Sequence, residues 1–547
     1  MGKLRLVLAT PELRRAHAAW TAVALGKWAF FILLAIYAFE EGGAAAVGLA
    51  VLARMLPAGL SAPFTSLLAD RRSRRDLLLV ATLIRALSLG LVAAAVALDA
   101  PLWLVLVLAA AQTIAGAAAK PAQAALLPLL ARSPEQLAAA NAAWSVIDNA
   151  GFCAGALLGG GLAAALGLPA GFAIAAAALL LAAVIQRGLP RDAPPPHRDA
   201  PAEKRLAGEV FAGFRAVLID HKLRLVIIVL SVATLVEGAI DVLVVVLALD
   251  VLETGKEGVG WLNAAWGVGG VLGGALAVAL LGGGRLASGL GGGCLLVAVS
   301  VAGLASWQLV APALGLLAVL GVGYGLIEIA GLTLTQRLAA DEVLARVCGV
   351  VESTYMIATA VGSVLAGAAI AALGATDILI VVGVVMAALA LVTGRRLARW
   401  EAAVPIPERE FALLRGIGVF APLPIATLET LATRLVPVPL TAGDVVVREG
   451  DPGDRCYIVA EGEIELSQRT GWHAAMGPGA LFGEIALLRD TPRNATAAAA
   501  GPGLLLALEQ EDFLAALTGH ARAHEAADAL IRDRLGSHAP TAPASLP

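Results

Sequence analysis

Twelve apolar runs crowd the first 400 residues of this chain, and they leave few ways for it to fold. They lie near 17–38, 45–69, 77–98, 102–126, 138–165, 168–187, 223–250, 257–281, 285–306, 310–336, 345–373 and 376–397. A helix of about 20 residues crosses the ~30 Å hydrocarbon core of a bilayer, and a spanning segment must satisfy its own backbone hydrogen bonds. Composition agrees, because only 15% of the residues are charged, 59% are hydrophobic and the mean hydropathy is +0.84. A soluble chain carries about a quarter charged residues. The first run begins near His17 with no small-residue cleavage site after it, so it reads as a retained helix and not a signal peptide. Met1-Gly2 is no myristoylation site, since Leu6 stands where Ser or Thr is needed.

The sixth and seventh runs are parted by a polar stretch, R-G-L-P-R-D-A-P-P-P-H-R-D-A-P-A-E-K-R, which divides the helices six and six. The expected organisation is an N-terminal six-helix half over 1–190, a loop over 191–222 and a C-terminal six-helix half over 223–400. A soluble domain follows over 401–535, then a disordered tail over 536–547. The soluble part reads as a helical lead-in from Glu408, many short β runs with glycine turns, and closing helices near 511–518 and 520–535.

Loop charges orient the bundle. With the N-terminus inside, the inner loops hold Arg14, Arg15, the arginines between Arg71 and Arg75, the basic middle loop, and Arg395, Arg396 and Arg399. The outer loops then hold Glu40, Glu41, Asp99, Asp250, Glu253, Glu257 and Asp377, with Lys256 their single base. Positive loops stay in the cytoplasm, so both termini are expected there. An internal repeat accompanies this division. At a constant spacing of 207 residues Gly155 meets Gly362, Gly160 meets Gly367 and Gly167 meets Gly374. The fifth and eleventh helices therefore correspond, as duplication of a six-helix half requires.

Ionisable groups inside a bilayer are costly and mark function by default. Here they are Lys27, Arg54, Arg85, Lys120, Asp148, Glu237, Asp241, Glu328 and Glu352. Glu237 and Asp241 are four apart and share a helix face, and Glu328 sits mid-helix in the tenth run. A carboxylate in a low-dielectric cavity favours its neutral form and can carry a proton. Glu237, Asp241 and Glu328 are the expected coupling residues. Arg54, Lys120, Asp148 and Glu352 read instead as helix-end groups or structural ion pairs.

Several classes are excluded. The net charge of −3 gives no case for nucleic acid. Cys153, Cys294, Cys348 and Cys456 are scattered, with neither disulfide nor zinc spacing. Walker, HExxH and nucleophile-elbow motifs are missing from the sequence, so the chain is not expected to be an enzyme or to need a metal.

Two motifs in the membrane part point to a family. Ser66-Leu67-Leu68-Ala69-Asp70-Arg71-Arg72-Ser73-Arg74-Arg75 follows the second helix and resembles the major facilitator signature G-x-L-x-D-R-x-G-R-[RK], with serine at both glycines. In that family the loop latches the two halves on the cytoplasmic side, which implies a conformational role for Asp70, Arg71 and Arg74. Gly151-x-x-x-Gly155-Ala156-x-x-Gly159-Gly160 is similar to the antiporter signature of the superfamily's drug and siderophore exporters, with Ala156 in place of proline. The resemblance implies a secondary transporter, expected to export a small amphipathic molecule in exchange for protons.

A different resemblance lies near the C-terminus, in Phe482-Gly483-Glu484-Ile485-Ala486-Leu487-Leu488-Arg489-Asp490-Thr491-Pro492-Arg493-Asn494-Ala495-Thr496. Glycine admits close backbone approach, a helical turn from Glu484 points N–H groups at an anion, and Arg493 can grip the same anion with two donors. Glu484 is an acceptor suited to a sugar hydroxyl. The segment resembles the phosphate cassette of cyclic-nucleotide-binding domains, as in protein kinase A regulatory subunits and catabolite-activator-type regulators. Leu440 to Asp444, Arg448 to Asp451, and Tyr457 to Val459 with Gly462 resemble that family's first strands and turns. By this resemblance Gly483 and Glu484 hold the ribose 2′-OH, Arg493 holds the cyclic phosphate, and backbone at Ile485, Ala486 and Asn494 completes the cradle. Asn494 departs from the usual Ala, Ser or Thr, which leaves cAMP and cGMP both open.

The whole chain is thus expected to be mainly α: a twelve-helix transmembrane bundle with a six-plus-six pseudo-repeat, then a cytosolic β-roll with flanking helices. It reads as a bacterial cytoplasmic-membrane transporter regulated by cyclic nucleotide, whose partners are the lipid bilayer, a small-molecule substrate and protons. The alternatives are a membrane-anchored nucleotide sensor without transport, or a lysolipid-type transporter of the same superfamily.

Overall fold

Glycine decides where the first element breaks. In the computed structural model the helix α1 (Pro11–Arg71) has 61 residues, which unbroken would run about 90 Å, roughly three hydrocarbon cores. It breaks at Gly42 and Gly43, and Gly43 adopts φ +61°, a conformation that costs a side chain dearly. Two spans result. The structure describes residues 10–71, 73–131, 134–191, 215, 217–281, 286–339, 341–403, 408–423, 425–489, 491–518 and 529, with the side chains of Asp70, Arg71 and Lys120 outside that description.

The first six spans are completed by α2 (Arg74–Ala97), α3 (Leu102–Leu130), α4 (Pro134–Leu166) and α5 (Leu168–Arg187). The second six are α6 (His221–Val246), α7 (Gly255–Leu281), α8 (Leu286–Ser306), α9 (Val310–Leu338), α10 (Asp341–Leu373) and α11 (Ala375–Ala403). A π-turn, Leu247–Val251, prolongs α6. Eleven helices among the described residues are long and apolar enough to cross a membrane, and the broken α1 makes twelve spans. Leu87, Trp103, Val107, Leu272 and Val384 are exposed on them, as an apolar solvent allows.

The repeat-matched glycines do the same work in each half. Gly155 of α4 lies against Trp28 and Ala29 of α1, while Gly362 of α10 lies against the Leu235 carbonyl of α6. One turn on, Gly160 meets Gly260 of α7, and Gly367 meets Ala44 in the second limb of α1. Gly167 and Gly374 follow, at φ +81° and +92°, where α4 and α10 end. Small residues let helix backbones approach where lipid offers no hydrophobic drive. The 207-residue spacing is therefore a duplicated set of helix crossings.

Apolar packing differs between the two ends of the bundle. Toward the end where the limbs of α1 meet, buried residues of both halves share one cluster, including Ile36 and Ala38 with Val244 and Leu304. A Lys256–Glu40 ion pair of 2.6 Å also joins the halves there. Toward the end that carries Pro11 and Ala403 two further clusters stand within single halves. One is built on Leu13, Leu77, Leu126 and Leu189, the other on Val217, Leu223 and Val347.

A second compact unit spans Ala402–Pro547 and has its own core. Helices α12 (Glu408–Gly416) and α13 (Ile425–Arg434) lead into eight strands. These are β1 (Val436–Leu440), β2 (Val445–Val447), β3 (Arg455–Glu461), β4 (Ile464–Ser467), β5 (His473–Met476), β6 (Leu481–Phe482), β7 (Thr496–Ala499) and β8 (Gly503–Glu509). They form two antiparallel four-stranded sheets, ordered β1-β8-β3-β6 and β2-β7-β4-β5. Helix α14 (Glu484–Arg489) lies between β6 and β7, and α15 (Gln510–Thr518) follows β8.

β3 is apolar on both faces because both are covered. Tyr457 and Val459 point into the core between the sheets with Ile464, Phe482 and Leu505. Cys456 and Ile458 alternate with them and pack under the helices with Phe420, Leu428 and Phe513. The β-roll and its flanking helices agree with expectation. The helix expected over 520–535 and the tail over 536–547 lie outside the described residues, apart from residue 529.

Candidate functional site

The cassette is built at the junction of β6, α14 and β7. Tyr457 pairs with Phe482 across β3 and β6, and their rings stack with centroids 5.3 Å apart. That pairing delivers the chain to Gly483, whose φ of +81° turns it into α14. A Cβ on Gly483 would stand 2.6 Å from Arg493 Nη1, so the glycine makes room for the guanidinium as well as for the turn. Glu484 opens the helix and is 1% exposed. Ala486 is buried beside it and Ile485 is half-buried.

Arg493 is anchored from the other side. Its N–H donates to the Asp451 carbonyl at 2.8 Å, and its carbonyl accepts from Gly450 N–H at 2.8 Å. The side chain is 3% exposed. Nη1 donates to the Gly483 carbonyl at 3.0 Å and Nη2 to Asp454 Oδ1 at 3.4 Å, while buried Nε has no hydrogen-bond partner among the described residues. Asp454 is 74% exposed, so solvent weakens it as a counter-ion. The Tyr457 ring lies 5.9 Å from the guanidinium carbon. A buried cation with so little compensation favours an incoming anion. Behind it, burial pushes the Cys456 thiol up and keeps it neutral.

Asn494 is exposed, and its carbonyl accepts from Gln468 Nε2 at 2.8 Å. That bond ties the cassette to the turn between β4 and β5. All six nucleotide-site residues read from the sequence are therefore gathered at one corner of the roll. Sequence reasoning missed Gly453, whose Cα seats Ala486 and Arg493, and Asp454, the guanidinium's charged partner. The Gly-Asp step just ahead of β3 was the available signal.

The membrane unit has a second gathering of polar groups. A cavity of ≈ 220 Å³ between α6, α9 and α10 is lined by Glu237, Glu328 and Glu352 with Tyr324 and Tyr355. Tyr355 Oη donates to Glu237 Oε1 at 3.2 Å, and Tyr324 Oη donates to the Ala233 carbonyl at 3.2 Å. Glu237 and Glu328 thus come together. Asp241 is not among the residues lining the cavity, although it lies one turn from Glu237. It interacts electrostatically with Arg54, a buried side chain of α1 whose guanidinium also lies 4.8 Å from the Phe31 ring centre.

Asp148 forms a 2.8 Å ion pair with Lys27, the structural role expected of it. Glu352, expected to be a helix-end group or part of a structural ion pair, lies three turns into α10 and lines the cavity. Arg74 opens α2 after the cap at Ser73. Asp70 and Arg71 end α1, and their side chains lie outside the described residues.

Twelve spans, matched helix crossings in two halves and an acidic internal cavity define a multi-pass membrane protein of the carrier type. The chain belongs to the Major Facilitator Superfamily, whose family model matches residues 19–363. The model of the cyclic nucleotide-binding domain matches residues 437–520, from β1 through α15.

Individual relatives match shorter pieces. A cAMP-dependent protein kinase regulatory subunit from Dictyostelium discoideum is 42% identical over 92 residues, 15% of this chain and 28% of that protein. A cyclic nucleotide-gated potassium channel from Mesorhizobium japonicum is 38% identical over 105 residues, 19% of this chain and 29% of the channel. The acetyltransferase Pat from Mycolicibacterium smegmatis is 36% identical over 101 residues, 18% of this chain and 30% of that enzyme. The chain spans less than a third of the length of each.

Proposed function

We propose that this protein is a secondary transporter whose activity is set by a cyclic nucleotide bound in the β-roll. The observation that carries the regulatory half is buried Arg493, held beside Gly483 and Glu484, whose Nε has no hydrogen-bond partner among the described residues and whose counter-ion among them is the solvated Asp454 carboxylate. In this reading Arg493 binds the cyclic phosphate, Glu484 and Gly483 the ribose 2′-OH, and backbone at Ile485, Ala486 and Asn494 the remaining oxygens. The excess of arginine in alternate loops supports a reading with both termini and the roll in the cytoplasm and the bundle in the plasma membrane.

Transport itself is carried by the cavity. Glu237 and Glu328 are the coupling residues and exchange protons as the substrate leaves the cell. Asp241 contributes by balancing Arg54 across the two halves, and Asp70, Arg71 and Arg74 latch the halves at the cytoplasmic end. A nucleotide that gates transport must bind two states of the bundle with different affinity.

The test is isothermal titration of cAMP and cGMP into the purified full-length chain, with Arg493→Ala beside it. Binding of one nucleotide that is lost in the variant is the expected result. No heat of binding to the wild type at millimolar nucleotide removes the regulatory reading.

A further inference from the structure

The turn between β4 and β5 reaches the cassette by bonds that no sheet ladder requires. β4 pairs with β7 from Ile464–Ala499 to Ser467–Thr496, and there the ladder ends. Past that point the turn closes on itself, with Gln468 N–H donating to the Trp472 carbonyl and Gly471 N–H to the Gln468 carbonyl, each at 2.9 Å. Two further bonds carry it across to other segments. Gln468 Nε2 donates to the Asn494 carbonyl at 2.8 Å, and Arg469 N–H donates to Glu449 Oε2 at 2.8 Å. Glu449 in turn donates its N–H to Thr496 Oγ1 at 3.0 Å. A ring of bonds thus runs through the turn, the β2–β3 connection and the end of the cassette.

Gln468 is half-buried and engaged at both ends of its amide. The Thr470 hydroxyl donates to its Oε1 at 3.3 Å, and a carbonyl such as that of Asn494 can only accept, so the amide has one orientation. Asn494 itself lies between two peptide planes. The plane before it is held at the Arg493 carbonyl by Gly450 N–H at 2.8 Å, and the plane after it is held by Gln468. Because each plane is rigid, pinning both fixes the position of the Asn494 N–H as well as its tilt. That N–H donates to none of the described residues. It is therefore a free backbone donor next in the chain to the buried Arg493 guanidinium, where an anion can take it up. Asn494 is exposed, so water can serve its carbonyl as well as Gln468 does. What the Gln468 bond adds is orientation more than stability.

We infer that Gln468 is a positioning residue of the nucleotide site: from a turn outside the cassette it holds Asn494 so that the Asn494 N–H meets one exocyclic oxygen of the cyclic phosphate. This rests on the regulatory reading of the β-roll, which Arg493 tests by itself. Glu449 serves the same end at one remove, by holding the turn that carries Gln468. A donor fixed before the ligand arrives adds affinity, because its ordering does not have to be met on binding.

The probes are cAMP and cGMP with the Sp and Rp phosphorothioates of each, in which sulfur replaces one or the other exocyclic oxygen. Titration uses the purified full-length chain. Gln468→Leu should weaken the better-bound nucleotide about fivefold, roughly the worth of one hydrogen bond. It should also narrow the affinity ratio between the two phosphorothioates, because the donor that distinguishes the oxygens is no longer held. Gln468→Glu should bind more weakly still at neutral pH, where two acceptors face each other. Relative to wild type at the same pH it should recover below about pH 5, where a protonated carboxyl donates again. Thermal unfolding of the unliganded variants checks that the β-roll is intact. Wild-type affinity in Gln468→Leu, a loss that falls equally on both phosphorothioates, or no recovery of Gln468→Glu in acid overturns the inference. If nucleotide binding is lost in Arg493→Ala but untouched in Gln468→Leu, this inference falls and the regulatory reading stands. No binding to the wild type removes both.

Discussion

Gly483 serves turn and site at once, so its replacement separates fold from binding. An alanine there would sit at φ +81° and drive its Cβ against Arg493 Nη1. The backbone strain alone costs about 1–2 kcal/mol. Gly483→Ala is expected to lower the melting temperature of the β-roll modestly and to reduce nucleotide affinity far more, because the displaced guanidinium leaves its cradle. Calorimetric titration beside thermal unfolding measures both. A loss of stability with full affinity would show that Arg493 does not meet the ligand. Glu237 is the corresponding residue in the bundle. Glu237→Gln keeps its shape and its place beside Tyr355 but removes the carboxylate, so it should abolish proton-driven flux while leaving the unfolding temperature of the bundle nearly unchanged. Unaltered proton-driven flux in that variant removes Glu237 from the coupling role.

Helix crossings offer a test that adjacent residues can decide. A Cβ on Gly160 would stand 2.9 Å from the backbone nitrogen of Gly260 and from the Lys256 carbonyl, neither of which can step aside. A Cβ on Gly161 would meet nothing within 4 Å. Gly160→Ala should therefore loosen the α4–α7 crossing and lower the unfolding temperature of the bundle. Gly161→Ala should be neutral or stabilise by about 0.5–1 kcal/mol through helix propensity. Fluorescence-detected unfolding in detergent compares them, and equal effects would refute the packing argument. The same logic makes Gly367 sensitive, since its neighbour is the Ala44 carbonyl at 2.6 Å from the added methyl carbon.

The whole molecule is two compact units with separate cores, Met1–Glu401 and Ala402–Pro547, so its unfolding should show two transitions. A nucleotide present at about 100 times its dissociation constant stabilises the unit that binds it by about 2.7 kcal/mol. Differential scanning calorimetry should then show the transition of the β-roll move upward. If the units are energetically coupled, the transition of the bundle moves too, and it moves by the same coupling in reverse when a transport ligand is added. A bundle transition blind to saturating cAMP and cGMP would leave the β-roll a passenger and remove the gating proposal.

Much of this was written in the order of residues alone. The length of each apolar run specifies a span, because a bilayer of fixed thickness admits few alternatives. The glycine spacing of 207 residues specifies equivalent crossings, because only glycine tolerates the approach at Gly155 and Gly362. The cassette from Gly483 to Asn494 is local in sequence, so its residues could hardly be scattered by folding. Tertiary structure decided what local order cannot. Glu237 and Asp241 share a helix face by spacing, yet one borders a cavity and the other faces Arg54 on another helix. That Glu352 borders a cavity depends on α6 and α9, which its own helix does not specify. Periodicity states which side of a helix a residue occupies. What that side meets depends on neighbours more than a hundred residues away in the chain, and only their packing supplies them.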